Sequence, residues 1–373
     1  MSRDERLRTY RAEFCEDERY FNFASYGPSS AKALDASRQI SLLAATGAAG
    51  SLSTIVDQYE GARAAFAKIC NFSLENVALV PSTSHALQQM ALGLHGEQVV
   101  VGAGEFPANL YPWWHADEIG VLRARTLSKS VRMTPDTVAS ALHADDTVLA
   151  VSAVDYGTGY RADLAGLREA IGPDRLLVVD AIQAFGVAAM DWKCADIVIS
   201  GGQKWVRSGW GIGAIALSER ALSRVHDTTS SWAGYAPSPE PGGRGASLPG
   251  ASRLAVTNLS PTAAAAFRAA LDLIAEVGVT TLEESIADAV DQLIARITEL
   301  NIRILSPTTR SERAGIVVIE VPQPLTSAVR AALDTDGYSY SWHEPNRLRI
   351  SVHATTLPKA IDDIGECLEN VLA

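Results

Sequence analysis

Six short runs of Val, Ile and Leu in the first two-thirds of the chain, alternating with helix-patterned segments, restrict the fold more than any other feature. They fall at 77–80, 98–101, 147–154, 176–179, 196–200 and 212–217. Several are too continuously apolar for a strand with one wet face, which implies burial on both faces. The intervening segments 54–70, 84–94, 135–143 and 163–171 carry helical spacing. This alternation predicts an α/β fold with a mostly parallel sheet covered by helices on both faces.

The pattern breaks between 226 and 258. Pro237-Ser-Pro-Glu-Pro-Gly-Gly-Arg-Gly245 has no core-forming period and is long for a loop inside a compact domain. A helical stretch over 261–300, interrupted near Gly278, follows it. Strands are then expected at 302–305, 315–321 and 347–352, and helices at 327–333 and 358–372. A chain of 373 residues suits two cores. The expected division is a large domain over 21–258 and a smaller α+β domain over 259–373, with residues 1–20 packing on the smaller one.

A net charge of −11, spread along the chain, argues against a nucleic-acid face. Neither a secretory leader nor a membrane span is visible, and Cys15, Cys70, Cys194 and Cys367 form no CxxC pair. A reduced cytoplasmic protein is the expectation. The seven histidines lack metal-ligand spacing, so no metal is expected. GxSxG, P-loop and HExxH motifs are absent, and Gly209-Trp-Gly-Ile-Gly213 precedes a strand instead of opening a helix.

The chemistry concentrates in mid-chain. Asp180 ends the run Leu176-Leu-Val-Val, and ligands of open α/β sheets bind at the carboxyl ends of strands. Alone, it reads equally well as a turn or cap residue. Lys204 sits in Ser200-Gly-Gly-Gln-Lys-Trp205, just past the next run. A lysine is ordinarily solvated, but one in a Gly-rich strand-terminal loop beside a tryptophan is placed for desolvation, which makes its amine nucleophilic. An amine for a Schiff base and a carboxylate for a pyridine nitrogen are what pyridoxal 5′-phosphate requires.

These residues resemble the class V aminotransferase family of fold-type I pyridoxal phosphate enzymes, which includes cysteine desulfurases and kynureninase-like enzymes. The resemblance runs from Tyr20-Phe-Asn-Phe-Ala-Ser-Tyr-Gly-Pro28 to the last helix. It implies that Thr83 and Ser84, in Pro81-Ser-Thr-Ser-His85, bind the cofactor phosphate at a helix N-terminus, where hydroxyls and free N–H groups collect anions. It implies that Phe106, after Glu105, stacks on the pyridine ring where desulfurases carry a histidine; phenylalanine stacks but exchanges no proton. By the same resemblance Asp180 pairs with the ring nitrogen, Gln183 contacts the ring hydroxyl, and Lys204 forms the internal aldimine. Gln203 stands where desulfurases commonly have a histidine and is left a phosphate hydrogen bond. Arg349, in Leu348-Arg-Ile-Ser-Val-His353, is implied to bind the substrate α-carboxylate, with Arg347 on the same strand face competing for that role. Thr257 aligns with a segment that reaches the neighbouring subunit's phosphate, which implies a homodimer with a shared site.

Desulfurases of this family carry a sulfur-accepting cysteine before the carboxylate arginine. The matching stretch, Gly337-Tyr-Ser-Tyr-Ser-Trp-His-Glu-Pro-Asn346, contains none. The expectation is therefore an enzyme acting on a small-molecule amino acid or amine, foremost an aminotransferase. A C–S lyase working by β-elimination without a persulfide, an epimerase, and a catalytically idle cofactor-binding homologue are the alternatives. Tyr26, Trp113, Trp114 and Trp342 hint at a bulky or apolar substrate side chain, or are simply core.

Overall fold

The computed structural model describes residues 2–128 and 132–372; Met1 and Ala373, outer bounds of the expected units, lie outside them. A seven-stranded sheet is built from β1 (Val77–Val80), β2 (Gln98–Gly102), β3 (Arg123–Leu127), β4 (Val148–Ser152), β5 (Leu176–Asp180), β6 (Ile197–Gly201) and β7 (Gly213–Leu217). Their spatial order is β1-β7-β6-β5-β4-β2-β3. Pairing is parallel from β3 through β6, and β7 runs antiparallel to both β6 and β1. Every residue of β5, β6 and β7 is buried, as continuous apolar runs demand.

The edge strand β3, Arg-Ala-Arg-Thr-Leu, escaped sequence reading because its charges mask the apolar signal. A solvent-facing edge favours such charges. The helix Ala31–Thr46 was missed for a related reason: it is Ala-rich and buries only Ala33 and Ile40. By contrast, the break at Gly278 is real. The helices Pro261–Val277 and Val279–Glu299 meet there, and the glycine adopts φ 93°, a conformation L side chains avoid.

A second sheet holds β8 (Arg303–Ile304), β9 (Ile316–Glu320), β10 (Ser341–His343) and β11 (Arg347–Ser351) in the order β10-β11-β9-β8, all antiparallel. The N-terminal segment joins the two sheets. Phe21 N–H donates to the Ser339 carbonyl at 2.8 Å, Ser351 N–H donates to Phe21 at 2.8 Å, and Ala24 N–H donates to Ser351 Oγ at 2.9 Å. Three residues further on, Gly27 N–H donates to the Gln203 carbonyl at 2.8 Å. The helix Arg3–Arg11 reaches the helix Val279–Glu299 and the turn after β11, with Arg6 donating to Thr281 Oγ1 at 3.1 Å and Arg11 Nε donating to the Ala354 carbonyl at 2.7 Å.

Arg207 fastens the other side of the lysine loop. Its guanidinium is buried, pairs with Glu16 at 2.7 Å, donates to the Pro28 carbonyl at 2.7 Å and lies 3.5 Å from the Phe14 ring centroid. Removing one member of such a buried pair costs about 3–5 kcal/mol, because the other charge stays behind. The backbone of Arg207 is held at φ 62°, sparse for a residue with a Cβ, and these side-chain contacts keep it there.

Gly27 gives the test of this clamp. A Cβ on it would collide with the Lys204 carbonyl and stand 2.8 Å from Arg207 Cγ. Gly27→Ala should destabilise the protein by about 1–3 kcal/mol as an overpacked contact, seen as a lowered Tm. A variant with unchanged Tm would show that the lysine loop is not held from this side.

Candidate active site

Five strands deliver their carboxyl ends to one sheet edge. β1 leads to Thr83, β2 to Glu105 and Phe106, β4 to Ser152 and Tyr156, β5 to Asp180 and β6 to Lys204. Register fixes part of this set: Ser152 stands opposite Asp180, and Asp180 opposite Ile199.

Asp180 is 2% exposed, and its Oδ1 accepts from Ile182 N–H at 3.0 Å. Burial pushes its carboxyl up to about 6, opposed by that hydrogen bond and by the positive field of Lys204. Burial likewise drives the Lys204 amine down to about 8; Asp180 works against this and Arg349 adds to it. Lys204 Nζ lies 5.3 Å from the Phe106 ring centroid. Neither group has an ion-pair partner among the described residues, so both charges wait for something else.

Arg349, 5% exposed on β11, reaches into the same region. It donates to the Tyr156 carbonyl at 3.1 Å, to Ser25 Oγ at 2.7 Å and to Ser341 Oγ at 2.9 Å. All three acceptors are neutral, its Nε has no partner, and burial lowers it to about 10. A buried guanidinium without a carboxylate invites one. Arg347, by contrast, is exposed at the start of β11 and lines a chamber on the far side of Tyr156.

The remaining expected residues divide. Thr83 opens the helix Thr83–Gly93, buried, with its Oγ1 unpartnered. The first-turn N–H groups beside it lack intrahelical partners. A Cβ on Gly201 would collide with the Gln203 side-chain oxygen and stand 3.0 Å from Thr83 Oγ1, so a glycine there keeps the space between them open. Ser84 is exposed and lines an adjoining groove with Phe106, Tyr111 and His115. Phe106 is 42% exposed and meets Tyr156 edge-on at 5.1 Å. Gln183 is engaged at both ends of its amide: Nε2 donates to the Ala24 carbonyl at 2.9 Å and Oε1 accepts from Trp205 Nε1 at 2.6 Å. It ties the lysine loop to the N-terminal segment and keeps a single amide hydrogen spare. Thr257 is exposed and makes no hydrogen bond among the described residues.

Of the four aromatics, Trp113 is fully buried and donates to Asn109, Trp114 donates to Thr126, Tyr26 stacks on Trp210 at 4.2 Å, and only Trp342 lines the chamber. Two residues beside the site were given no role in the sequence. Tyr156 follows β4 just as Asp180 ends β5, so the strand-end rule would have found it. Glu105 is half-buried, accepts from Ser152 N–H at 3.0 Å, from Ser152 Oγ and from Asn109 Nδ2 at 3.1 Å, and is pushed up to about 7 by desolvation of its carboxyl. Through Ser152 it anchors the Phe106 turn to β4.

These features fit pyridoxal 5′-phosphate on the structure's own terms. An unpartnered Thr83 hydroxyl, a glycine-walled gap, a buried carboxyl without a cation and a desolvated amine answer its phosphate, its ring nitrogen and its aldehyde.

Comparison with known proteins agrees. Residues 43–339 match the family model for aminotransferase class-V. A kynureninase from Deinococcus radiodurans is 29% identical over 294 residues, covering 76% of this chain and 69% of the relative. The uncharacterized aminotransferase YcbU from Bacillus subtilis is 28% identical over 247 residues, covering 63% and 65%. Among solved structures, the cystine C–S lyase C-DES with its product cysteine persulfide superposes with TM-score 0.87 at 19% identity, covering 95% of this chain and 97% of that one. An apo cysteine desulfurase from Thermococcus onnurineus NA1 gives 0.85 at 18%, covering 95% and 94%. At such identities the superpositions speak for the fold, while the family match covers most of the sequence. The chain belongs to the class-V aminotransferase family and is a pyridoxal 5′-phosphate-dependent enzyme.

Proposed function

We propose that this enzyme transfers the amino group of an amino acid, with Lys204 as its catalytic residue. The observation that carries the reading is a desolvated, unpaired amine facing the Phe106 ring and lying within the field of a buried arginine that has only neutral partners. When bound, pyridoxal 5′-phosphate supplies an electron sink for the pair released at the substrate Cα. The other tasks fall to the chain. Thr83 Oγ1 and the first-turn N–H groups would hold the phosphate, flanked by Ser84 and Gln203. Asp180 would keep a proton on the ring nitrogen, Gln183 would offer its spare amide hydrogen to the ring hydroxyl, and Phe106 would stack. Because Phe106 exchanges no proton, Lys204 would be left to take the proton from Cα and hand it to the carbon that receives the amino group. Arg349 would hold the α-carboxylate.

Thr257, exposed and unpartnered, would serve the phosphate of a second copy in a homodimer. The four cysteines are free, which suits a reduced compartment such as the cytoplasm, and no helix among the described residues is long and apolar enough to cross a membrane. The division at 258/259 would leave one sheet to each unit.

A C–S lyase is the second reading, favoured by the cystine C–S lyase that shares the fold. It would work without a sulfur-carrying cysteine, since none of the four lines the chamber beside the site. Epimerisation would need the same lysine.

An amino-acid panel separates these. Aminated cofactor with a keto acid and no ammonia is the expected result; ammonia or sulfide release with unchanged cofactor would sink transamination in favour of elimination. Lys204→Ala should lose borohydride-fixable cofactor and drop kcat on the order of 10²–10⁴-fold. Arg349→Gln should lower kcat/KM about ten- to hundredfold, with Arg349→Lys falling between. The amine attacks only when neutral, and its pKa is lowered to about 8. Cofactor uptake by the apoprotein should therefore quicken about tenfold per pH unit below 8 and level off above it. A rate still climbing steeply at pH 10 would mean that the amine is not desolvated.

A further inference from the structure

A chamber of about 570 Å³ adjoins the Lys204–Arg349 region, with Glu105, Arg132, Tyr156, Trp342, His343 and Arg347 among its walls. Tyr156 joins the two spaces: its carbonyl accepts from Arg349, and its ring packs edge-on against Phe106 at 5.1 Å and against His343 at 6.1 Å. A substrate held by Arg349 has this chamber as room for its side chain.

The polar groups of the chamber are unevenly engaged. Its acceptors are largely in use. Both oxygens of Glu105 take hydrogen bonds from Ser152 and Asn109. Asp155 Oδ1 accepts from Thr158 Oγ1 at 2.5 Å, its Oδ2 alone staying open among the described residues, and Glu344, on the outer rim, pairs with Arg330 at 3.2 Å. Its donors are not. The guanidinium groups of Arg132 and Arg347 form no ion pair and no hydrogen bond among the described residues; Arg132 only lies over the Tyr160 ring at 4.7 Å. Trp342 Nε1 and His343 Nε2 are buried without partners. Burial, Arg349 and Arg347 all lower the His343 pKa, and an uncharged imidazole can turn either a donor or an acceptor to a ligand. Against one open carboxylate oxygen, on Asp155, stand two unpaired guanidinium groups and a free indole N–H, a balance that favours a ligand bringing acceptors and negative charge.

Strand geometry adds a spacing. Arg347 and Arg349 alternate along β11, so they share a face with Cα atoms roughly 7 Å apart, one deep and one at the chamber. The pair need not compete for one carboxylate.

We propose that the substrate is an amino acid whose side chain ends in an anionic group, with Arg347 and Arg132 taking the distal anion while Arg349 holds the α-carboxylate. This rests on the amino-acid reading above and names the substrate class within it. Unreactive probes test it on the holoenzyme by calorimetry: succinate, glutarate and 3-phosphonopropionate against butyrate. At least one dianion should bind about tenfold or more tighter than butyrate, and Arg347→Gln or Arg132→Gln should remove most of that preference. A smaller preference, or one that both variants retain in full, overturns the assignment. L-Aspartate, L-glutamate and O-phospho-L-serine are then compared with L-asparagine, L-glutamine and L-serine by their effect on the cofactor spectrum. A response to an anionic member that exceeds its neutral counterpart's is expected. Responses confined to neutral members would overturn this inference and leave the amino-acid reading standing; no response to any would overturn both.

Discussion

Holding a half-buried amine beside a buried carboxyl and a buried guanidinium at one sheet edge, without pairing any two of them, is the condition on which this site rests. Each alone would be costly, since an uncompensated buried charge costs several kcal/mol. That cost appears in the molecule as displaced acidities: Asp180 up to about 6, Lys204 down to about 8, Arg349 down to about 10. The same displacement is what suits them to act. An amine near 8 is a usable nucleophile near neutral pH, and a guanidinium with only neutral partners binds a carboxylate strongly.

Such an arrangement needs a stiff frame, and the frame is built around the residues next to Lys204. Trp205 donates to Gln183, Gln183 donates to Ala24, and Gly27 donates to the carbonyl before the lysine. Arg207 reaches back to Glu16 and Pro28. Behind Trp205 lies His353, fully buried among Tyr10, Phe23 and Trp205, with burial holding its pKa well below the usual range. The N-terminal segment thus works as a strap across both sheets. It supplies no expected cofactor contact, yet it fixes the loop that carries the amine and, through Ser25, one side of Arg349.

Much of this was legible from residue order. The apolar runs announced β1, β2 and β4 to β7, because strands buried on both faces have to be apolar throughout. Asp180 and Lys204 stood out because a charge directly after such a run has nowhere to go except a ligand or the solvent. Among the elements that escaped, β3, β10 and the helix Ala31–Thr46 are edge or surface pieces whose composition answers to water as much as to the core. Gln183 shows a different limit. Its position three residues past Asp180 was plain, but its engagement with Trp205 and Ala24 depends on a segment some 160 residues distant.

The sequence by itself determined the sheet, the strand-end location of the site, the cofactor class and the lack of a cysteine in the segment before Arg349. These follow from local rules: burial sets composition, strand ends set where polar groups gather, and a cofactor's chemistry sets which residue types must be present. Only the tertiary structure decided which polar groups are already satisfied. It occupied Gln183 and Glu105, left the Thr83 hydroxyl unpartnered and Arg349 without a charged partner, set Ser84 outward, and separated Arg347 from Arg349 by depth though they share a strand face. Hydrogen-bond capacity is consumed by partners far apart in the chain, so what remains for a ligand can be counted only after the chain has folded.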